Sequence, residues 1–587
     1  MFARLVSCAV LLSTVLQPVL AVWPAPKSYT KGNSVLYLHQ NLQVTYNGEA
    51  LTYTYGYSPR APTSKEIVQA AVSRALGTIL NEEKFVPWML LNRGQLKNFE
   101  PDVHKGQKWL SSLKIVQTAE DKPSAFKPLA GEVDESYKLT IGTDGDIKLT
   151  AASSVGILRG LETFTQLFFM HSSGTFWYTP FAPLSIEDAP KFPHRGVLLD
   201  TSRHWFPVSD IKRTIDAMAW NKLNRLHIHV TDSQSWPLEI PAMPELAQKG
   251  AYTPSQIYTT ADLDEIQRYG VYRGVEVYLE IDMPSHIGSV AESHPELIVA
   301  YDAHPYHWYC AQPPCGAFKL NNTGVDKFLD TLFADLMPRV APYSAYFHTG
   351  GDELNANDSM LDEGIRSNRS EVLQPLLQKF VDKLHQRVRN GGLTPLTWEE
   401  IPLDWNVTIG KDTVVQTWLG APSVKKLTRM GHKVIDSNYN FWYLDCGRGQ
   451  WLNFANGAAF RTFYPFNDWC GPTKSWRLIY SHDPTAGLTE AEAALVLGGE
   501  VAVWTETIDP QTLDSIIWPR ASAAVEVLWS GRTDPATGQN RSMIEAQPRL
   551  VEWRERMVNR GIRAAAITQQ WCSMADDNKG TACEHVV

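Results

Sequence analysis

After Pro193 the chain alternates between short apolar runs and longer amphipathic stretches, a pattern that predicts alternating strands and helices. Helical periodicity fills most of the intervals, for example residues 209–221, 326–337 and 372–390. The predicted strands are residues 196–199, 225–230, 276–281, 345–348, 394–398, 413–417, 433–438 and 497–502. Repeated strand-helix units spread over about 340 residues predict an α/β fold, a (β/α)₈ TIM barrel.

The region before the barrel has a mixed pattern. Strand-like runs at 35–38, 42–46, 137–141 and 147–151 accompany helix-like stretches at 65–80 and 154–169. Gly142-Thr-Asp-Gly145 is typical of a hairpin turn. We therefore predict four segments: a signal peptide at 1–21, a smaller α+β domain at 22–188, the barrel at 189–560 and a tail at 561–587.

The start of the chain indicates export. Arg4 precedes an apolar run from Leu5 to Leu20, and Val19-Leu-Ala21 offers small residues for cleavage. No later stretch is long and apolar enough to predict a membrane span. We therefore expect a secreted, extracellular protein without a membrane partner.

The cysteines fit an exported protein. Of the seven, Cys8 lies in the predicted signal peptide, which leaves six. Six cysteines allow about 15 connectivities, and proximity along the chain favours Cys310–Cys315, Cys446–Cys470 and Cys572–Cys583. The last pair would pin the tail. Candidate glycosylation sites are Asn321, Asn357, Asn368, Asn406 and Asn540.

Charge and composition narrow the class of ligand. A formal net charge of −9 argues against a nucleic-acid partner. The 20 tryptophans in 587 residues are more informative, because an indole face suits the C–H face of a pyranose ring while its N–H can donate. The composition therefore favours a carbohydrate ligand.

The strongest chemical signal is His348-Thr-Gly-Gly-Asp-Glu353, at the end of the fourth predicted barrel strand. Two glycines allow a sharp turn, and two adjacent carboxylates in a confined site are suited to proton transfer. The other predicted strands also end in polar or aromatic residues. Since active sites lie at the carboxyl ends of barrel strands, these side chains should converge on one opening.

Taken together, these motifs resemble the β-N-acetylhexosaminidases of glycoside hydrolase family 20, especially the secreted fungal type. The resemblance covers nearly the whole mature chain. It rests on Arg195-Gly196, His227-Ile-His-Val-Thr-Asp232, Glu280-Ile-Asp282-Met-Pro-Ser-His286, the 348–353 run, Trp398-Glu399, Trp418, Asn440-Phe-Trp-Tyr443-Leu-Asp445 and Trp504-Thr-Glu506.

The resemblance implies a role for each matched residue. Glu353 would be the general acid and then the base, while Asp352 and Tyr443 would position the substrate's own 2-acetamido group as the nucleophile. Trp398, Trp418 and Trp504 would surround that group, and Arg195, Asp445 and Glu506 would bind ring hydroxyls. The supporting residues would be Asp232, His286, Asp282 and His348. An exo-acting, retaining enzyme without a cofactor is implied, with N-acetylhexosamine-terminated oligosaccharides such as chitin oligomers as substrates.

Two other functions compete with this interpretation. His227-Ile-His229 with Asp232 has the ligand types of a zinc site, which would indicate a metal-dependent hydrolase. A sugar-binding protein without catalysis would be expected to lack Asp352 or Glu353. Relatives of the fungal type can be dimers, so a homodimer is a further expectation.

Overall fold

The computed structural model describes residues 21–52, 62–86, 100–103, 106–452 and 468–573. The predicted signal peptide, except for Ala21, and Cys583 lie outside the described residues. Among those described, no helix is long and apolar enough to cross a membrane. The described chain forms a seven-stranded sheet followed by a closed barrel of eight strands.

The amino-terminal domain is a mixed sheet with two helices packed on it. The sheet order is β2-β1-β3-β5-β4-β7-β6, and β1 also pairs with β7. The elements are β1 (Ser28–Tyr46), β2 (Glu49–Ala50), α1 (Ser64–Ile79), β3 (Trp109–Gln117), β4 (Tyr137–Ile141), β5 (Asp146–Ala151), α2 (Ser154–Gln166), β6 (Phe169–Met170) and β7 (Trp177–Asp188). β4 and β5 pair antiparallel across the predicted hairpin turn. β7, with its two prolines, was not predicted, since proline lacks the N–H of a regular ladder.

The second sheet closes on itself with every neighbouring pair parallel, which confirms the predicted barrel. Its strands are β8 (His194–Asp200), β9 (Arg225–Thr231), β10 (Glu276–Ile281), β13 (Tyr346–His348), β14 (Thr394–Trp398), β15 (Val414–Thr417), β16 (Lys433–Asp436) and β17 (Val496–Val503). A small antiparallel pair, β11 (Ile298–Val299) and β12 (Ala317–Phe318), lies in the long connection after β10. All eight predicted strands overlap the observed ones.

Helices connect the strands and cover the barrel. They are α3 (Val208–Trp220), α4 (Glu245–Gly250), α5 (Thr260–Val271), α6 (Thr323–Val340), α7 (Ser370–Asn390), α8 (Glu400–Leu403), α9 (Ala421–Arg429), α10 (Tyr439–Trp442), α11 (Trp476–Ser481), α12 (Glu490–Ala493), α13 (Leu513–Ile517), α14 (Arg520–Ser530), α15 (Met543–Asn559) and α16 (Gln570–Ser573). Their apolar faces and the outer strand residues form one large buried core.

Arg195 lies at the wrong end of the barrel to bind substrate. It is the second residue of β8, so it sits at the amino end of its strand, and it is fully buried. Its guanidinium donates to Glu135 Oε2 at 2.6 Å and to two backbone carbonyls, of Lys222 and Phe192. The predicted hydroxyl-binding role of Arg195 is therefore wrong. The residue joins the barrel to the amino-terminal domain.

Glu135 is the partner that makes this junction ionic. Its Oε2 also accepts from Arg159 Nε at 2.8 Å. Burial alone would raise the pKa of Glu135, but the two arginines lower it to about 2. Because the pKa is depressed on folding, this contribution to stability is complete above the ordinary value near 4.5 and is lost as pH falls towards 2.

We predict that Arg195→Met destabilises the protein without weakening substrate binding. Removing one partner leaves Glu135 buried with less compensation, which typically costs ~3–5 kcal/mol. Urea unfolding should show this loss, whereas KM well below the unfolding midpoint should not change. The matched control is Arg369→Met, since Arg369 pairs with Glu371 at the surface and such pairs contribute about 0–1 kcal/mol. A raised KM with unchanged stability would contradict this placement.

Candidate active site

The 348–353 run turns sharply at the carboxyl end of β13. Gly350 and Gly351 have φ of +68° and +109°, which favour glycine, and Glu353 has φ of +53°. A Cβ on Gly350 would lie 1.7 Å from Asp282 Oδ1. The Gly351 N–H donates to that same oxygen at 2.7 Å. The turn therefore brings Asp352 and Glu353 to the opening of the barrel against Asp282.

A cavity at the carboxyl ends of the strands collects most of the predicted site residues. Those that line it are Asp232, Asp282, His286, Asp352, Glu353, Trp418, Tyr443, Asp445, Trp504 and Glu506. Residues that the sequence did not single out for the site also line it, namely Arg203, Gln312, Arg448, Trp451, Asp468 and Trp469. The predicted convergence of strand ends is thus present in the structure.

Glu353 is supported by a histidine and a buried carboxylate. His286 Nε2 lies 3.2 Å from Glu353 Oε2, and His286 Nδ1 lies 3.2 Å from Asp232 Oδ1. Burial would lower the pKa of His286, but Asp232 and Asp352 raise it well above the ordinary value. Glu353 keeps 33% of its side chain exposed. A carboxyl with one supported oxygen and access to the cavity can exchange a proton with a bound molecule.

Asp352 has a different environment from its neighbour. It is 9% exposed, and carboxyl oxygens of Asp352 and Asp282 lie within 4.8 Å of each other. Two carboxyl groups this close in a buried site do not both ionise. Burial and the charge of Asp352 raise the pKa of Asp282 well above its usual range, so we assign the proton to Asp282. Asp352 is then the ionised acceptor beside a neutral acid.

Aromatic rings form one wall of the cavity. Trp418 stacks on Tyr443 with ring centroids 6.3 Å apart and planes at 15°. Trp504 lies 6.4 Å from Tyr443, tilted by 58°. Burial raises the pKa of Tyr443 well above 10, so its hydroxyl remains a hydrogen-bond donor at any working pH. The wall combines apolar surface with one phenolic donor.

Polar groups of both signs form the far end of the cavity. Burial raises the pKa of both Asp445 and Glu506, and the charge of Glu506 raises that of Asp445 further. Gln312 Nε2 donates to Glu506 Oε1 at 3.3 Å. Arg203 pairs with Asp232 at 2.8 Å and lies over the Trp504 ring at 5.3 Å. Closely spaced acceptors and donors of this kind suit several hydroxyls on one small ring.

Comparison with known proteins identifies the family to which the chain belongs. Residues 192–532 match the description "Glycosyl hydrolase family 20, catalytic domain", and residues 22–167 match "beta-acetyl hexosaminidase like". A beta-hexosaminidase of Arthroderma benhamiae is 40% identical over 95% of this chain and 96% of its own. The chain belongs to glycosyl hydrolase family 20. It is a glycosidase of the β-N-acetylhexosaminidase type.

Other relatives extend beyond fungi. A "chitooligosaccharidolytic beta-N-acetylglucosaminidase" of Ostrinia furnacalis is 34% identical over 76% of this chain and 75% of that protein. Among solved structures, a chitobiase of Flavobacterium johnsoniae has a TM-score of 0.69 at 25% identity, covering 94% of this chain and 74% of that one. The two-domain architecture is therefore shared across distant members of family 20.

Trp398 and His348 are not exposed to the cavity of this family 20 enzyme. Both are fully buried at strand ends. Trp398 Nε1 donates to Glu280 Oε1 at 2.7 Å, and His348 Nδ1 lies 2.9 Å from the same oxygen. His348 thus has a supporting position, as predicted. Trp398 lies beneath the wall, 6.3 Å from the Trp504 ring, so the predicted direct substrate contact is wrong for this geometry.

Arg203 is a basic residue of the cavity that sequence reasoning missed. It comes three residues after the carboxyl end of β8, whereas Arg195 begins that strand. A strand-end rule applied to Thr201-Ser-Arg203 would have found it. Gln312, Trp451 and Trp469 lie in long connecting loops, where neither periodicity nor strand position gives a signal.

His227 and His229 both face buried carboxylates. His229 Nδ1 faces Glu280 at 2.8 Å, and its Nε2 faces Asp232 at 2.8 Å. His227 Nδ1 faces Glu500 at 3.1 Å and its Nε2 lies 3.0 Å from Glu280. These contacts give both histidines partners within the protein, and removal of metal by a chelator tests the zinc hypothesis.

Two predicted disulfides border the cavity. Cys310–Cys315 and Cys446–Cys470 are both present, with Cα atoms 5.3 Å apart in each pair. The first loop contains Gln312 and the second contains Trp451 and Trp469. The third predicted pair includes Cys583, which lies outside the described residues. Among the candidate glycosylation sites, Asn357 is half-buried, and the exposed ones are Asn321, Asn368, Asn406 and Asn540.

We predict that Gly350→Ala abolishes most activity. The added Cβ would collide with the Asp282 carboxyl, which lies beside Asp352, at a position where φ is +68°. The matched control is Gly392→Ala, where φ is +79° but a Cβ would meet no atom within 4 Å. The control should lose only about 1–2 kcal/mol of stability from backbone strain. Equal kcat/KM for the two purified variants would contradict the argument.

Proposed function

We propose that this protein is an exo-acting, retaining β-N-acetylhexosaminidase in which the 2-acetamido group of the substrate is the nucleophile. The substrates would be β-glycosides that end in N-acetylglucosamine or N-acetylgalactosamine, with chitin oligomers as the physiological class. The observation that carries the proposal is that Asp352 and Glu353 have different environments. Asp352 is nearly buried, whereas Glu353 is partly exposed and contacts His286. Two carboxyl groups in different environments can take different roles in one reaction.

Glu353 is assigned the roles of general acid and base. It is the more exposed of the two carboxyls, and His286 holds one of its oxygens. In the first step it would protonate the leaving glycosidic oxygen as the anomeric bond breaks. In the second step the same carboxylate would accept a proton from the attacking water.

Asp352 is assigned to the acetamido group rather than to the anomeric carbon. It is nearly buried, and the protonated Asp282 beside it leaves Asp352 as the ionised acceptor. It would accept the amide N–H while the amide oxygen attacks the anomeric carbon, and it would stabilise the positive charge that develops on the ring so formed. Tyr443 would donate to that oxygen, because its phenol remains protonated. Trp418 and Trp504 supply apolar surface for the methyl group.

The far end of the cavity supports removal of one sugar at a time. Arg203, Asp445 and Glu506 are assigned to hydroxyls of the terminal ring, with Gln312 holding Glu506. Arg203 is assigned the hydroxyl-binding role that the motifs had predicted for Arg195. Groups that grip several hydroxyls of one ring leave no path for a longer chain to continue beyond it.

We predict that replacing the two carboxyls affects different substrates. Glu353→Gln should slow substrates with poor leaving groups by about 10²–10⁴-fold but activated aryl glycosides much less, since only the former need protonation. Asp352→Asn should slow both, because the charge it stabilises develops with any leaving group. Rates on alkyl and dinitrophenyl N-acetylglucosaminides would measure this. A thiazoline mimic of the cyclic intermediate should bind tightly.

Two results would overturn this mechanism. One is a sugar trapped covalently on Asp352 and identified by mass spectrometry. The other is comparable turnover of a glucoside with a 2-hydroxyl in place of the acetamido group. Inverted product configuration by NMR would also contradict retention.

We further predict that dialysis against a chelator leaves the rate unchanged and that chitin oligomers shorten by single units. The first result follows from the carboxylate partners of His227 and His229, and the second from the several groups assigned to hydroxyls of one terminal ring. Chromatography of early products gives the chain lengths. Lost activity restored by zinc would favour the metal-dependent hydrolase, and early internal fragments would contradict exo action. An intact protein that binds oligomers without cleaving them would favour the binding-protein alternative.

A further inference from the structure

Glu280 is a fully buried carboxylate behind the cavity, and the proposed mechanism leaves it without a role. It lies on β10 and faces the barrel interior. Oε1 accepts from Trp398 Nε1 at 2.7 Å and lies 2.9 Å from His348 Nδ1. Oε2 lies 2.8 Å from His229 Nδ1 and 3.0 Å from His227 Nε2. A buried charge with this many close partners is costly unless those partners are cationic or donate hydrogen bonds.

His229 connects Glu280 to the support of Glu353. Its Nδ1 faces Glu280 and its Nε2 faces Asp232, both at 2.8 Å. Because each nitrogen faces a carboxylate oxygen, both must carry protons, and the ring is then an imidazolium. Burial would lower the pKa of His229, but the two carboxylates raise it to about 9. A hydrogen-bonded series therefore runs Glu280–His229–Asp232–His286–Glu353.

We propose that Glu280 is a positioning residue that holds a positive charge on His229, and that this charge, acting through Asp232 and His286, sets the acid strength of Glu353. The inference rests on the proposed role of Glu353 as the general acid.

The sign of the effect follows from the charges around Asp232. Asp232 Oδ2 contacts both Arg203 and His229, and Oδ1 faces His286. Two cations besides His286 therefore neutralise its charge. If His229 became neutral, Asp232 would act more strongly on His286 and on the proton of Glu353. Glu353 would then hold its proton to higher pH and donate it less readily.

Other charged groups near His286 do not reverse this sign. Asp352 and Asp282 lie on one side of it, and Arg203 Nη2 lies 3.5 Å from its Nδ1. The charge of Glu280 also raises the pKa of Asp352 and of Asp282 directly. Arg203 contacts Asp232, so it remains a cation beside Asp232 when Glu280 is changed. The hydrogen-bonded route from Glu280 to Asp232 passes through His229.

Glu500 provides a matched control in the same barrel interior. It is also fully buried, and it contacts His194, His227, Tyr278 and Gln416. Of these four side chains, His227 also contacts Glu280, through its Nε2 at 3.0 Å, and none contacts Asp232 or His286 in the described structure. Loss of the Glu500 charge should therefore reach the general acid only through His227 and Glu280, and its effect there should be smaller.

The experiment compares Glu280→Gln with Glu500→Gln. Glutamine keeps an acceptor oxygen for Trp398 but removes the charge opposite His229. We expect the basic limb of the kcat/KM profile for Glu280→Gln to move up by roughly 0.5–1 pH unit, since the lost charges partly cancel at Glu353. Its loss of rate on an alkyl glycoside should exceed that on a dinitrophenyl glycoside by about ten-fold. Glu500→Gln should move the limb and this ratio clearly less than Glu280→Gln does, because it acts one residue further from His229.

His229→Gln keeps the proposal testable if Glu280→Gln does not fold. It cannot carry a charge, so it should shift the limb and the ratio in the same directions. A shift in His229→Gln but not in Glu280→Gln would overturn the role of Glu280. Normal profiles in both variants, or equal shifts in Glu500→Gln, would overturn the inference altogether. Failure of Glu353→Gln to discriminate between leaving groups would instead overturn the proposed function.

Discussion

The active site depends on the charge balance at one buried carboxylate, that of Asp232. Arg203, His229 and His286 each lie within 3.2 Å of one of its oxygens, and they come from different segments of the barrel. Without these partners a charge at this depth would be strongly disfavoured. With these partners, Asp232 holds three side chains in place. They are His286 behind Glu353, Arg203 in the cavity, and His229, which contacts Glu280 in the barrel interior. Proton transfer and sugar binding therefore have a common anchor.

A second buried ionic group joins the two domains. Glu135 of the amino-terminal domain holds Arg195 of the barrel, and Asp188 at the end of β7 pairs with Lys222 at 3.0 Å, both fully buried. Such groups tolerate little displacement, because their charges have no water to replace a lost partner. The sheet domain is thus a structural support for the amino ends of the barrel strands, opposite the cavity.

Prediction from the sequence was most accurate where a single physical rule determined the position of a residue. Every barrel strand was predicted because buried parallel strands are continuous apolar runs, and the cavity residues followed from the rule that strand ends converge. Arg195 was misplaced because motif order took precedence over its position at the start of β8. Trp398 was misplaced because the side chain of a residue at a strand end can point into the barrel interior rather than into the cavity. Gln312 and Trp469 depend on loop paths, which no periodic pattern encodes.

The Cys446–Cys470 bond has a consequence for how the sequence between the two cysteines can vary. It holds Cys446 and Cys470, which are 24 residues apart in sequence, next to each other beside the cavity. A change in the length of the chain between them therefore leaves both of its ends in place. This segment also carries Trp451 and Trp469, which line the cavity. Sequence variation between the two cysteines can therefore reshape one wall of the cavity while Asp232, His286 and Glu353 keep their contacts.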